Sequence, residues 1–156
     1  MKCCKDREDS MGYKTIICPI DGSELSEKAE DAASYISKIS GAKLILLNVV
    51  EKWYRSAHLV TDSTEWQNIH TNWLAEGKGI LEKEAGKLKE KGVKDVEAVL
   101  KDGDAAHEII ALAIEQKADL IIMATHRYSP VGKFFMGSVT DRVTKSSPCP
   151  VLWVFK

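Results

Sequence analysis

The sequence has no apolar run long enough to cross a lipid bilayer. Its longest run is Leu44–Leu47, continued after Asn48 by Val49 and Val50, whereas a membrane helix needs about 20 apolar residues. The N-terminal stretch MKCCKDREDS also lacks the apolar segment of a secretory signal. We therefore expect a cytoplasmic protein with no membrane partner.

Excess charge of either sign is absent as well. The chain has 22 basic and 23 acidic residues and a net charge of −1, which offers no electrostatic footprint for DNA or RNA. Its four cysteines include no pair at the C-x2-C spacing of metal sites. We expect no nucleic-acid partner and no metal site, with Cys18 and Cys149 as structural thiols in apolar surroundings.

What the chain does contain is an alternation of short apolar runs with longer helical patterns. Residues 1–10 are polar and predict a flexible tail, and 11–156 predict one domain. The runs that predict strands are Thr15–Ile20, Lys43–Val50, Val96–Leu100, Leu120–Ala124 and Val151–Phe155. Four of them are almost continuously apolar, which is typical of strands buried on both faces of a parallel sheet. The more mixed Val96–Leu100 suits the sheet margin.

The segments between these runs predict helices. An apolar stripe at helical spacing begins at Leu25 and ends at Ile39, with Ser23 or Ser26 as its cap and Gly41 after it. Further helices are predicted over 65–91, from a cap at Asp104, and over 138–146. The β-α-β alternation predicts a doubly wound, five-stranded parallel α/β sheet. Ligands bind such sheets outside the carboxyl ends of the strands, where the strand order reverses.

Two of the residues that follow strands are candidates for ligand contact. The Asp21 carboxylate, next to Pro19 and Ile20, can accept hydrogen bonds from a ribose or an amino group, but an Asp-Gly turn without a ligand explains it equally well. Val49 can form an apolar wall for a flat base, although a core valine is the simpler interpretation. Gly103 and Asp104 are most simply a turn glycine and a helix cap.

The segment after the fourth strand carries the strongest signal. A long connection runs from Thr125 to a helix that begins near Gly137 and Ser138, and long connections are often functional. Backbone N–H groups and the positive end of that helix would bind phosphate, with Arg127 and Lys133 as countercharge. The alternative is that Ser138 is only an N-cap and the two cations are solvated.

The region from about Tyr13 to Phe155 resembles the universal stress protein family. The resemblance rests on ICPIDGS at 17–23, LLNVV at 46–50, ADLIIMATH at 118–126, GSVTDRV at 137–143 and SPCPVLWV at 147–154. It implies a flavodoxin-like sheet, similar to that of the adenine nucleotide α-hydrolases, with strand order 3-2-1-4-5. It also implies, in many members, a site for ATP or a related adenine nucleotide, with Mg2+ accompanying the nucleotide.

Several positions match the family's nucleotide-binding pattern, and two depart from it. The resemblance assigns contacts to Asp21, Val49, Gly137 and Ser138, with Val139 next along the helix; Pro19 and Ile20 flank the adenine. Ala124 and Arg127 stand where the pattern Gly-x2-Gly-x9-Gly-Ser/Thr has its first two glycines. Arg127 would either reach over the phosphates or close the site, since glycine allows a close approach that arginine resists.

These observations leave competing functions. The first is a regulatory stress protein that binds adenine nucleotide; without a general base or metal carboxylates, any ATP hydrolysis is expected to be slow. The second is a dimeric interaction module in which Arg127 closes the site. A nucleophilic enzyme is third, because no G-x-S-x-G elbow is present.

The aromatic-rich segment 51–73 suits either a partner surface or a cover for the sheet. The apolar last strand, Val151–Phe155, predicts a homodimer joined along a sheet edge, and the resemblance implies the same.

Overall fold

The computed structural model describes residues 12–51, 64–125 and 137–155. Within them, helices and strands alternate along the chain. The strands are β1 (Thr15–Pro19), β2 (Lys43–Glu51), β3 (Val96–Gly103), β4 (Leu120–Thr125) and β5 (Val151–Phe155). The helices are α1 (Glu24–Ser40), α2 (Thr64–Glu90), α3 (Ala105–Glu115) and α4 (Ser138–Ser146). None of the described helices has a stretch apolar and long enough for a membrane crossing.

All five strands run parallel in one sheet, in the order β3-β2-β1-β4-β5. This confirms the doubly wound sheet and the order expected from the resemblance. The strand with the mixed sequence, β3, lies at one edge, as predicted. The chain order reverses at the centre, because β1 lies between β2 and β4.

Each face of the sheet is covered by helices, and successive strand residues point to opposite faces. In β1, Ile16 and Cys18 pack on the face covered by α1 and α2, whereas Ile17 packs on the face covered by α3 and α4. All three side chains have no exposed surface. Burial on both faces is the reason that these strands are apolar throughout instead of alternating with polar residues.

Local signals set the ends of α1. The Ser23 hydroxyl accepts a hydrogen bond from the Ser26 backbone N–H at 3.2 Å, so Ser23 is the N-cap of the two serines considered. At the other end Gly41 has a φ of 73°, a left-handed conformation that glycine adopts without strain, and its N–H donates to the Ser37 carbonyl. The predicted capping of this helix is confirmed.

The structure also corrects some predicted positions. β1 ends at Pro19, one residue early, while β3 extends three residues further than predicted, so Gly103 is a strand residue and not a turn residue. Ile39 is 68% exposed and does not belong to the buried stripe of α1. Its spacing is helical, but it lies in the last turn of the helix, where the side chain faces solvent.

Candidate functional site

A cleft of about 360 Å³ opens at the carboxyl ends of the central strands, where the strand order reverses. β1 and β4 pair only at Ile16–Leu120 and Ile17–Ile121, whereas β1 and β2 stay paired over the whole of β1. The two strands therefore separate toward their carboxyl ends, and the gap between them becomes the cleft. The described residues that line it are Pro19, Ile20, Asp21, Ser26, Leu47, Val49, Glu51, Ala105, Ile109, Met123, Ala124, Val139 and Thr140.

Hydrogen bonds to the backbone of Ile20, the residue after β1, hold this wall of the cleft in place. The Ile20 N–H donates to the Leu47 carbonyl at 2.8 Å, and the Ile20 carbonyl accepts from the buried Asn48 side chain at 2.8 Å. Both backbone polar groups of Ile20 are thereby satisfied one residue beyond the strand. The chain then turns sharply at Gly22, whose φ is +79°.

Asp21 lies at this turn with its side chain exposed to solvent. Its Oδ1 accepts a hydrogen bond from the Ser23 N–H at 2.9 Å, and its own N–H donates to the Ser26 hydroxyl at 3.3 Å. The turn role considered for Asp21 is therefore real. Its carboxylate also lines the cleft, and a carboxylate has acceptor capacity for more than one donor.

The inner surface of the cleft is largely apolar. Val49 and Leu47 come from β2, Met123 from β4, and Ala105 and Ile109 from α3. Apolar walls with a few convergent polar groups are typical of small-molecule sites. Such walls can enclose a flat ring. Donor groups at the edge of the ring can reach the carboxylates of Asp21 and Glu51, which lie at the rim of the cleft.

The first turn of α4 forms the opposite wall. Gly137 is the N-cap residue and provides no side-chain hydrogen bond to the helix, so none of the described residues caps the first N–H groups with a side chain. Val139 and Thr140 line the cleft, and Thr140 is 4% exposed. The hydroxyl of Thr125, at the end of β4, is buried and has no hydrogen-bond partner within the described residues. Uncapped helix N–H groups attract anions.

Most of the predicted contact residues do meet at this cleft. Six of the nine line it: Pro19, Ile20, Asp21, Val49, Ala124 and Val139. Gly137 and Ser138 start the helix beside the cleft but do not line it, and the Ser138 side chain is exposed. Ser138 is also the first helical residue and not the N-cap, which is Gly137. Arg127 and Lys133 lie outside the described residues.

Sequence reasoning missed several residues of the lining. Thr140 had a signal, since it lies two residues after Ser138 in the first turn of the same helix. Met123 was also missed; it lines the cleft beside the predicted Ala124, although consecutive strand residues point to opposite faces, because the cleft lies at the strand's end. Nothing in the sequence indicates Ala105 and Ile109, which reach the cleft only because α3 packs against α4 and β2.

An ion pair fixes α3 against α4 next to the cleft. The Asp104 carboxylate caps α3 by accepting from the His107 N–H at 2.8 Å, and it receives two hydrogen bonds from Arg142 of α4 at 2.7 and 2.9 Å. The Arg142 guanidinium, with the His107 N–H, lowers the pKa of Asp104. The cap predicted at Asp104 is confirmed, and its second role is to position the first turn of α4.

Behind the cleft, Ser26 leads to a buried pair of carboxyl groups. Its hydroxyl donates to Oε1 of Glu30 at 3.1 Å, and the Glu30 carboxyl faces that of Glu84 of α2. Glu30 and Glu84 are each only 3% exposed. Burial, and after it the negative charge of Glu84, raise the pKa of Glu30 to about 7. Burial together with the Glu30 charge also raises the pKa of the Cys18 thiol, which makes that thiol unreactive.

The described geometry can now be compared with known proteins. A model of the universal stress protein family matches residues 12–154. The chain is 34% identical over 151 residues to the universal stress protein YxiE of Bacillus subtilis, and the match covers 91% of this chain and 99% of YxiE. The chain belongs to the universal stress protein family. The resemblance carried by the sequence motifs is thus confirmed.

Solved structures of this family share the fold. A universal stress protein in complex with cAMP has a TM-score of 0.67 and 26% identity, covering 92% of this chain and 98% of that chain. A universal stress protein from Archaeoglobus fulgidus in complex with dAMP has a TM-score of 0.65 and 18% identity, with coverage of 92% and 98%. Adenine nucleotides are therefore bound by some structural neighbours of this universal stress protein.

Proposed function

We propose that this universal stress protein is a regulatory protein that binds ATP or a related adenine nucleotide in the cleft between β1 and β4. The observation that carries the proposal is the cleft itself, which combines apolar walls, carboxylates at the rim and an uncapped helix N-terminus. Each part suits one part of a nucleotide. The apolar walls suit the base, the carboxylates suit the ribose hydroxyls, and the helix N-terminus suits the phosphate.

The base and ribose would lie on the β1 and β2 side. Val49 and Leu47 offer an apolar surface to a purine, and Pro19 and Ile20 flank it from β1. The Asp21 carboxylate is exposed at the rim, where it can accept hydrogen bonds from ribose hydroxyls. Because the Ile20 backbone is held by hydrogen bonds to the Leu47 carbonyl and the Asn48 side chain, this wall needs little rearrangement on binding.

The phosphate would lie at the first turn of α4. The N–H groups that follow Gly137 and the Thr140 hydroxyl are donors at this end of the cleft. The helix dipole adds a favourable term of about 0.3–1 kcal/mol for an anion there. Ser138 contributes through its backbone N–H and not through a side chain that lines the cleft. Mg2+ would accompany the nucleotide through phosphate oxygens, as it does in many phosphate sites.

Two residues that replace glycines of the family's nucleotide-binding pattern support a second candidate function. Ala124 lines the cleft where the family pattern has glycine, and Arg127 replaces the next glycine. If the Arg127 side chain fills the cleft, the protein is a dimeric interaction module and binds no nucleotide. If it pairs with phosphate, it strengthens binding through a charge-assisted hydrogen bond.

Isothermal titration separates these two functions. We expect cAMP, or ATP with Mg2+, to bind the full chain, and Val49→Phe to weaken binding at least tenfold by filling the apolar wall. Ile114→Phe is the control, since Ile114 is 61% exposed on α3 and does not line the cleft. Arg127→Gly should weaken binding if the arginine holds phosphate and create binding if it blocks the site. Absence of binding in both the parent chain and Arg127→Gly would refute the proposal.

We further propose a homodimer joined along β5. This strand pairs with β4 on one side, and no described strand pairs with its other edge. Its Leu152 side chain is 39% exposed, which is unusual for a large apolar residue on a sheet. A free apolar edge is a template for a second strand. Sedimentation should show a dimer at micromolar concentration, and Leu152→Lys should convert it to a monomer; a monomeric parent chain would refute this.

A further inference from the structure

We propose that the Glu30–Glu84 carboxyl pair is a proton-operated switch that acts on the wall of the cleft through Ser26. The proposal concerns regulation of the cleft described above. Its first part, the effect of the proton on the wall, depends only on the chain itself. Its second part, the effect on ligand affinity, rests on the proposed nucleotide function.

The pair must hold a proton to keep its geometry. Glu30 on α1 and Glu84 on α2 are both 3% exposed, and their carboxyl groups face each other. Two ionised carboxylates have only acceptors, so a hydrogen bond between them requires that one of them be protonated. Two like charges in contact away from water would repel each other strongly.

The surroundings decide which carboxyl carries the proton. The groups that face the pair are Cys18 of β1, Ser26 and Glu27 of α1, and Lys83 and Lys87 of α2. Both lysines contact Glu84, with Nζ–Oε distances of 3.3 Å for Lys83 and 2.9 Å for Lys87. Burial acts to raise the pKa of Glu84, but the two lysines outweigh it and lower that pKa. The proton therefore resides on Glu30.

Ser26 connects this proton to the cleft. Its hydroxyl donates to Oε1 of Glu30 at 3.1 Å and accepts from the N–H of Asp21 at 3.3 Å, and Ser26 is itself part of the cleft lining. When Glu30 is protonated, Ser26 donates to a neutral carboxyl. When Glu30 loses its proton, Ser26 donates to an anion, which is a shorter and stronger hydrogen bond. The position of Ser26, and with it the turn at Asp21, therefore follows the charge of Glu30.

The direction of the effect on an anionic ligand follows from the same contacts. Protonated Glu30 removes a negative charge behind the cleft and holds the Ser26 hydroxyl less tightly, so an anion binds better. By linkage, an anion bound in the cleft raises the proton affinity of Glu30 to the same extent. We therefore expect affinity for an anionic nucleotide to fall as the pH rises through about 7.

The first test uses the labelled full chain without ligand. In amide spectra recorded between pH 5.5 and 8.5, the Asp21 and Ser26 signals should shift with the midpoint of the Glu30 side-chain carboxyl signal. In Glu30→Gln this common transition should vanish. In Ser26→Ala the Glu30 carboxyl should still titrate while the Asp21 amide no longer follows it, because the connecting hydroxyl is gone.

Three outcomes would overturn the switch. In the first, the Glu30 carboxyl signal does not change between pH 5.5 and 8.5. In the second, it changes but the amide signals of Asp21 and Ser26 do not shift with it. In the third, the common transition persists in Glu30→Gln. Glu24→Gln is the matched control, because Glu24 lies exposed in the first turn of the same helix, and the Glu30-linked transition should survive in it.

The second test measures cAMP affinity at pH 6 and pH 8. A phosphodiester lacks the second ionisation that a phosphomonoester has near pH 6, so the ligand's own charge stays constant. We expect binding about fivefold or more tighter at pH 6, and equal affinities at the two pH values in Glu30→Gln. Equal affinities in the parent chain would refute the coupling to the ligand. If cAMP binds at neither pH, nucleotide binding fails, whereas the amide spectra still decide whether the switch exists.

Discussion

Replacing Glu30 by Gln should stabilise this protein at neutral and alkaline pH and leave its stability in acid almost unchanged. Gln has nearly the shape of protonated Glu, so its amide can donate to Glu84 and its carbonyl can accept from Ser26 as Glu30 does. The substitution removes only the possibility of a negative charge at a position that is 3% exposed.

The magnitude follows from the pKa of Glu30, which burial raises from 4.5 to about 7. Between these two values the unfolded chain releases the proton while the folded chain keeps it, so the free energy of unfolding decreases as the pH rises. At about 1.4 kcal/mol per pH unit, the total is about 3 kcal/mol. Above pH 7 the loss is complete, and below pH 4.5 it is absent. The folded parent chain is therefore penalised at pH 8 and not at pH 4.

Urea unfolding of both chains at pH 4.5, 6, 7 and 8 measures this difference. We expect Glu30→Gln to match the parent chain at pH 4.5 and to exceed it by about 3 kcal/mol at pH 8, which corresponds to about 6–12 °C in melting temperature for a domain of this size. Glu24→Gln should instead destabilise the protein slightly at neutral pH, by about 0.3–1 kcal/mol, since it removes a charge that favours the helix N-terminus.

One result would refute the reasoning. If the stability difference between Glu30→Gln and the parent chain were the same at pH 4.5 and pH 8, the Glu30 carboxyl would not keep a proton in the folded state. Any effect of the substitution would then come from packing, which does not depend on pH.

Two further predictions concern the frame around the cleft. Gly77→Ala should destabilise the protein by up to about 2 kcal/mol in urea unfolding, because its Cβ would lie 2.5 Å from the Asn48 Oδ1, and such overpacking costs about 1–3 kcal/mol against about 1 kcal/mol gained in helix propensity. Gly79→Ala, in the same helix with nothing within 4 Å of its Cβ, should stabilise by up to about 1 kcal/mol; equal effects of the two would contradict the contact. Asp104→Ala should cost about 1 kcal/mol through loss of the α3 cap, whereas Asp104→Asn should cost only a few tenths. If Asn cost as much as Ala, the ion pair with Arg142 and not the cap would be the larger contribution.

Most of the fold was predictable because its signals are local. Strands buried on both faces must be apolar at every position, so their runs stand out without knowledge of their neighbours. Ser23, Gly41 and Asp104 act on their own helix ends, and all three were identified from position alone. The errors were at element ends, such as the last residues of β3 and the exposed Ile39, where a single residue's burial depends on what packs beside it.

The candidate site was predictable only in part. Residues at or just after the carboxyl ends of β1 and β2 could be assigned to the cleft, because the carboxyl ends of neighbouring parallel strands lie together. The lining from α3 could not be assigned, since Ala105 and Ile109 look like ordinary residues of an amphipathic helix. In α4 the motif indicated Ser138 and Val139; Val139 lines the cleft together with Thr140, whereas Ser138 does not.

The sequence by itself determined the kinds of element, their order, the family and the end of the sheet where a ligand would bind, because each of these follows from residues close together in the chain. Only the tertiary structure decided that the carboxyls of Glu30 and Glu84, separated by 54 positions, face each other in a buried position behind Ser26. A glutamate in a helix is ordinarily solvated, and nothing in its neighbours along the chain reveals otherwise. The side chains of α1 and α2 pack together and exclude water from both carboxyls. Without that water a second negative charge is unfavourable, so the protonation of Glu30 affects the stability of the folded chain.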